Sequence, residues 1–156
     1  MAGPPTPRPL RADDVAAVAD IERRVFSDPW SARSFAEMLA LDPVRGFAVD
    51  DEHGRLIGYA VCSTVADEGE ILNLAVEPHA RGRGLGAALV GAMLDWLKTR
   101  GAERVFLEVR RSNEAAIAVY QRAGFTPLGT RRAYYRDPRE DALTMALDLV
   151  PGGAGK

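Results

Sequence analysis

Three glycines and two arginines crowd into six residues, Arg81-Gly82-Arg83-Gly84-Leu85-Gly86. Glycine lets a backbone turn tightly and come close to a ligand. The run ends where a helical pattern begins, and free N–H groups and the dipole at a helix N-terminus attract phosphate. Arg81 and Arg83 add two cationic forks suited to phosphate oxygens. The chemistry on offer is the gripping of a phosphorylated ligand. A Walker loop is excluded, because no Lys-Ser/Thr pair follows the last glycine. Gly82-x-Gly84-x-x-Ala87 formally meets the relaxed dinucleotide fingerprint, and Glu108 closes the next strand where a ribose-binding acid would sit. Against that reading, five residues, Glu77 to Arg81, separate the strand from the first glycine. Three strands also precede the unit, and too little chain follows it for a second half-site. Cys62 has no activating base in view and reads as a small buried residue. His53, in a turn, and His79, after Pro78, read as exposed.

The elements that must position this loop follow from periodicity. A short strand is expected near Arg8 to Arg11. Asp13 reads as an N-cap for a helix carrying Val15, Val18, Ile21 and Val25 at helical spacing, broken by Asp28-Pro29. Ser31 caps a second helix with Phe35, Met38 and Leu39 on its apolar face, ended by Pro43 and Gly46. Strands follow at Phe47 to Asp50, Leu56 to Thr64 and Glu70 to Val76, the first two joined by a turn at Asp51 to Gly54. Leu85 to Thr99 is a helix stopped by Gly101, with Leu89, Met93 and Trp96 on one face. A strand at Arg104 to Val109, a helix at Asn113 to Ala123 closed by Gly124, and an antiparallel pair at Phe125 to Tyr135 and Ala142 to Leu149 complete the order. Glu70 to Val109 forms a βαβ unit, so its two strands should be parallel neighbours. The whole implies a mixed sheet with helices on both faces.

The 156 residues fit one domain, spanning residues 1–150, with 151–156 as a flexible C-terminal tail. Pro4, Pro5, Pro7 and Pro9 read as a frayed N-terminal tail and the segment before Arg11 as no secretory signal. A hydrophobic fraction of 47% supports a core and argues against wholesale disorder. No apolar run approaches the roughly 18 residues of a membrane span. One cysteine excludes an internal disulfide and a cysteine-based zinc cage, and two histidines leave little for a metal site. The expectation is a cytoplasmic, metal-free monomer without nucleic-acid or membrane partners. The net charge of −2 hides an asymmetry: seven basic against fourteen acidic residues up to residue 78, thirteen against eight beyond it. Chance and solvated faces account for such a split. So does a basic peptide received by the first half and an anionic ligand held by the second.

Beyond the loop, an extended block is present: Leu72-Asn73-Leu74-Ala75-Val76, then Leu107-Glu108-Val109-Arg110, then Asn113-x-x-Ala116-x-x-x-Tyr120-x-x-x-Gly124-Phe125. With Arg81, Gly84 and Gly86 this combination resembles the GNAT superfamily of acetyl-CoA-dependent N-acetyltransferases. Asp28-Pro29-Trp30-Ser31, Arg131-Arg132-x-Tyr134-Tyr135 and Arg139-Glu140-Asp141-Ala142 make it similar to the ribosomal-protein-alanine N-acetyltransferases, from about Asp13 to Leu147. The resemblance implies the α/β (α+β) GNAT fold, a mixed central sheet of six to seven strands with about four helices on both faces. It implies acetyl transfer from acetyl-CoA to the N-terminal alanine of a small-subunit ribosomal protein. Peptide, lysine or small-amine acceptors remain the alternative.

The resemblance also assigns roles. Glu108, between apolar Leu107 and Val109 and so pointing opposite to them, becomes the proton acceptor, directly or through water. The same acid suits a strand-end pair with Arg110 or Arg111. Tyr120 becomes the proton donor to the leaving thiolate, although a core tyrosine would sit there too. Main-chain groups of Leu74, Ala75 and Val76, on a strand that splays from its neighbour, hold the pantetheine amides and polarise the thioester. Arg81, Gly82, Arg83, Gly84, Leu85, Gly86 and Ala87 contact the pyrophosphate. Asn113 caps its helix and touches the pantetheine arm. Trp30, with Pro29, forms one wall of the acceptor groove and Tyr134-Tyr135 the other; Trp30 equally suits a core anchor between two helices.

Overall fold

The computed structural model describes residues 6–136 and 138–149. The expected C-terminal tail at 151–156, and Pro4 and Pro5, lie outside the described residues. Among the described residues seven strands form one sheet: β1 (Arg8–Pro9), β2 (Val44–Asp50), β3 (Leu56–Val65), β4 (Glu68–Val76), β5 (Arg104–Arg110), β6 (Thr126–Tyr135) and β7 (Glu140–Asp148). Their order across the sheet is β1-β2-β3-β4-β5-β7-β6. Only β4 and β5 run parallel; every other pair is antiparallel. One parallel pair cannot make a doubly wound dinucleotide fold, which needs parallel strands throughout each half.

Helices α1 (Val15–Val25) and α2 (Ala32–Leu39) cover one face, and α3 (Leu85–Thr99) and α4 (Glu114–Arg122) the other. The expected mixed sheet with helices on both faces is therefore present. Val18, Ile21 and Phe35 pack on Tyr59 and Val61 on the first face; Leu89, Met93 and Leu97 pack on Val105 and Leu107 on the second. Each such fully buried side chain contributes about 1.5–3 kcal/mol. Ser31 caps α2 by accepting from Ser34 N–H at 3.1 Å, and Asn113 caps α4 by accepting from Ala116 N–H at 3.2 Å. Among the described residues no helix is long and apolar enough to cross a membrane.

Two expectations near the start are corrected. Pro9 is not tail; Arg8 and Pro9 pair with Ala48 and Phe47 as an edge strand, a place that tolerates proline. The helix-initiating acid is Asp14 rather than Asp13. Asp14 accepts from Arg11 N–H at 2.7 Å, closing a 3-10 turn, while Asp13 is exposed. Arg8 lies between Asp14 (2.8 Å) and Asp50 (2.7 Å), tying the chain start to α1 and β2. Its hydrogen bonds hold the Asp14 carboxyl below the usual carboxylate range. A carboxyl depressed in the folded state stabilises above its unfolded value of about 3.9, and that stability is lost as pH falls through the folded value. Arg8→Met should therefore unfold at a higher pH in an acid titration followed by circular dichroism. An unmoved acid midpoint would show that the pair contributes nothing.

Candidate active site

The site is made by a parting of strands. β4 and β5 pair only from Glu68 to Ile71 against Arg104 to Leu107. Beyond that point β4 keeps its ladder with β3 as far as Val76, and β5 keeps its ladder with β7 as far as Arg110. A bulge coincides with the fork: Val61 and Cys62 of β3 face Asn73 and Ile71, leaving Leu72 over. A bulge adds twist and bends its strand, which turns β4 away from β5. A cleft of about 820 Å³ occupies the gap. Its lining includes Trp30 and Glu22 from the α1 and α2 side and Asn113 and Tyr120 from the α4 side, so it passes through the plane of the sheet.

Glu108 is the β5 carboxylate at the fork. It faces the α1 side, and Arg131 of β6 meets its Oε2 at 2.7 Å. The anticipated partners are engaged elsewhere. Arg110 binds Glu140 at 3.3 Å and the Arg136 carbonyl at 2.6 Å, and Arg111 donates to Thr130 Oγ1 at 3.0 Å. Burial first, then the neighbouring Glu108 carboxylate, raises the Tyr134 phenol pKa. The Tyr135 phenol is pushed up to about 12, chiefly by burial. Glu70 lies close enough that burial and then the Glu108 charge raise its carboxyl pKa. β6 reaches the cleft through a local irregularity. Ala133 takes φ 51°, and its N–H donates to Asp141 Oδ1 at 2.8 Å. The register shift between Arg131 and Tyr135 brings both tyrosines to the lining. Trp30 stands opposite them, half-buried and 5.2 Å from the Phe35 ring, so it serves as cleft wall and as anchor.

On the other face Tyr120 is buried, 5.7 Å from Phe125, with its side chain on the cleft. Burial raises its pKa above the ordinary phenol value, so it holds its proton at neutral pH. Glu77 N–H bonds Ile57 O, which sets the alternation of the β3–β4 ladder. Leu74 and Val76 then direct their polar main-chain groups into the gap, whereas Ala75 spends its own on β3. Val76 O indeed receives Arg81 Nε at 3.2 Å, and Leu74 N–H meets Asn73 Oδ1 at 2.9 Å. The expectation that Ala75 offers main-chain groups to a ligand is corrected by this register.

Arg81 carries the cleft into the glycine loop. Gly82 and Gly84 take φ of 82° and 80°, a region closed to most side chains, and a Cβ at either would meet nothing within 4 Å. Leu85, Gly86 and Ala87 follow as the first turn of α3, where N–H groups lack intrahelical acceptors. This open, positively polarised mouth next to Arg81 and Arg83 fits a diphosphate. Gly86 lies within the helix, where a Cβ would touch Val119 at 3.4 Å. Cys62 does not line this cleft. It is buried against Arg45 O at 3.7 Å, and burial pushes its thiol up to about 12.

The chain matches the Acetyltransferase (GNAT) family over residues 15–125. It belongs to that family. It is 39% identical over 142 residues to the [ribosomal protein bS18]-alanine N-acetyltransferase of Escherichia coli K12, covering 90% of this chain and 95% of that one. The crystal structure of the ribosomal-protein-S18-alanine N-acetyltransferase from Escherichia coli superposes with a TM-score of 0.83 at 38% identity, over 92% of this chain and 93% of that one. Arabidopsis thaliana NAA60, crystallised with acetyl-CoA, shares the fold with a TM-score of 0.83 at 20% identity, over 92% and 97% of the two chains. The protein is thus a GNAT N-acetyltransferase.

Of the sequence-derived candidates, the cleft gathers Trp30, Leu74, Arg81, Glu108, Asn113, Tyr120, Tyr134 and Tyr135. Sequence reasoning gave no role to Glu22, Glu70 or Arg131. Glu22 had a signal: it falls on the helix face defined by Val18, Ile21 and Val25, where an acid is out of place. Arg131 had none, because its meeting with Glu108 depends on how β6 returns beside β7.

Proposed function

We propose that this GNAT enzyme transfers the acetyl group of acetyl-CoA to the α-amine of a protein N-terminus, the alanine of ribosomal protein bS18. That acceptor lies in the cytoplasm. The observation that carries the reading is the through-sheet gap past Ile71 and Leu107, with Glu108 on one face and Tyr120 on the other. Two reactants can approach from opposite faces and meet in the plane of the sheet. The names of relatives near 39% identity over 90% of the chain support the acceptor.

Acetyl-CoA supplies, when bound, an activated thioester carbonyl and a thiol leaving group. The α3 N-terminus and Arg81 hold the diphosphate, and Leu74 N–H and the Val76 main chain face the arm. Asn113 caps α4 with its Oδ1 and leaves its Nδ2 for an amide of the arm. Trp30, Tyr134 and Tyr135 wall the acceptor side. A protein α-amine has a pKa of about 7.7–8.0, so roughly a tenth is neutral at pH 7; a lysine at about 10.4 is neutral less than once in a thousand. Glu108 takes the proton that the amine sheds, and Tyr120 delivers its phenolic proton to the departing sulfur. With Cys62 buried away from the cleft, transfer is direct within a ternary complex.

The test is mass spectrometry of acceptors incubated with acetyl-CoA: peptides beginning Ala, Ser and Met, an Nα-blocked peptide carrying lysine, and a small diamine. Acetylation of the Ala peptide at its α-amine, ahead of the others, is the expected result. Faster modification of the lysine peptide or the diamine would overturn the acceptor assignment.

A further inference from the structure

Three acids are buried among the described residues of α1 and its surroundings, and two of them face a cation. Asp14 meets Arg8 at 2.8 Å and Glu77 meets Arg24 at 2.6 Å. Glu22 is 2% exposed and makes no ion pair among the described residues. Three neutral donors hold it instead. Trp30 N–H reaches Oε2 at 3.0 Å, Asn73 Nδ2 reaches Oε1 at 2.9 Å, and the Tyr59 hydroxyl also donates to Oε1. They come from the α1–α2 connection, from β4 and from β3. Burying a carboxylate among neutral groups is costly, and an apolar residue of similar volume would pack there at less cost. The arrangement fixes geometry. Asn73 has one orientation: with Nδ2 on Glu22, its Oδ1 falls to Leu74 N–H, the donor that faces the gap.

We propose that Glu22 is a positioning residue for acetyl transfer, holding the Trp30 wall of the acceptor groove and, through Asn73, the Leu74 N–H at the fork. The inference rests on the reading of the cleft as an acetyl-transfer site. Its two arms are separable. The Trp30 arm governs the acceptor, and the Asn73 arm governs the Leu74 main chain at the fork.

Glu22→Gln keeps size and one oxygen. That oxygen stays with the two donors at Oε1, so Trp30 N–H is left facing an amide NH₂. Losing a hydrogen bond to a charged group should raise the KM for the Ala peptide roughly tenfold and speed hydrogen exchange at the Trp30 amide by a similar factor. The acetyl-CoA Kd and kcat should stay within about twofold. Asn73→Ala should do the reverse, lowering kcat roughly tenfold with the peptide KM retained. A Glu22→Gln protein with a lowered Tm but unchanged KM, kcat and Trp30 exchange has a merely structural glutamate, which overturns the proposal. If Glu22→Gln fails to fold, Asn73→Ala with unchanged kcat overturns the Leu74 arm. A parent enzyme inactive on every acceptor would instead defeat the acetyl-transfer reading, and Trp30 exchange would still decide whether Glu22 holds that loop.

Discussion

Glu108→Gln should lower kcat about 10²- to 10⁴-fold, the usual range for removing a general base. The change preserves shape and removes only the capacity to take a proton. Glu108 sits on the face opposite α3, so the diphosphate mouth is untouched and the acetyl-CoA Kd by calorimetry should not move. Folding should also survive. The Arg131 partner is 59% exposed, and a pair with one solvated member contributes about 0–1 kcal/mol. The deficit should depend on pH in a definite sense. Below the amine's pKa of about 8 most acceptor is protonated and needs a proton acceptor. Above it the amine arrives neutral, and the gap between parent and variant should narrow. Steady-state rates from pH 6.5 to 9 with the Ala peptide check both points. Equal turnover at pH 7 would remove Glu108 from the chemistry and leave it as the ion-pair partner of Arg131.

How much of this was legible in the sequence follows from which interactions are local. The caps at Ser31 and Asn113, the terminators Gly101 and Gly124 and the βαβ unit depend on neighbours in the chain, and each stands where expected. The glycine loop was legible for the same reason: φ above zero at Gly82 and Gly84 is a single-residue property. What could not be read was set by register. The bulge at Leu72 decides that Leu74 and Val76 face the gap while Ala75 faces β3. The partner of Glu108 was sought two and three residues away, yet Arg131 lies 23 positions on, placed by the β5–β7–β6 order. Asp13 and Asp14 are adjacent acids before one helix, and the approach of Arg8, together with burial and the Arg11 N–H, singles out Asp14. The first face of the active site is therefore tertiary in origin, and the diphosphate mouth is local.

That locality makes the second large effect testable in isolation. Gly84→Val should raise the acetyl-CoA Kd at least 100-fold, and adding Gly86→Val should abolish measurable binding. Two costs combine. A β-branched residue held at φ 80° is strained by roughly 1–3 kcal/mol, so the loop shifts to relieve it. A shift that misaligns two N–H groups at the α3 mouth forfeits about 1.5–3 kcal/mol for each hydrogen bond to charged phosphate. Open space around the missing Cβ means that no core contact is broken, so the variant should fold. Gly54, at φ 79° with nothing within 4 Å in the β2–β3 turn, supplies the control. Gly54→Val carries the same strain far from the cleft, and should lower Tm without moving the Kd. A second control separates phosphate gripping from damage to the gap. Acetyl-pantetheine has the thioester and lacks the diphosphate, so Gly84→Val should use it as well as the parent does. If Gly84→Val bound acetyl-CoA normally, or lost acetyl-pantetheine activity in the same proportion, the α3 N-terminus would not be what holds the coenzyme.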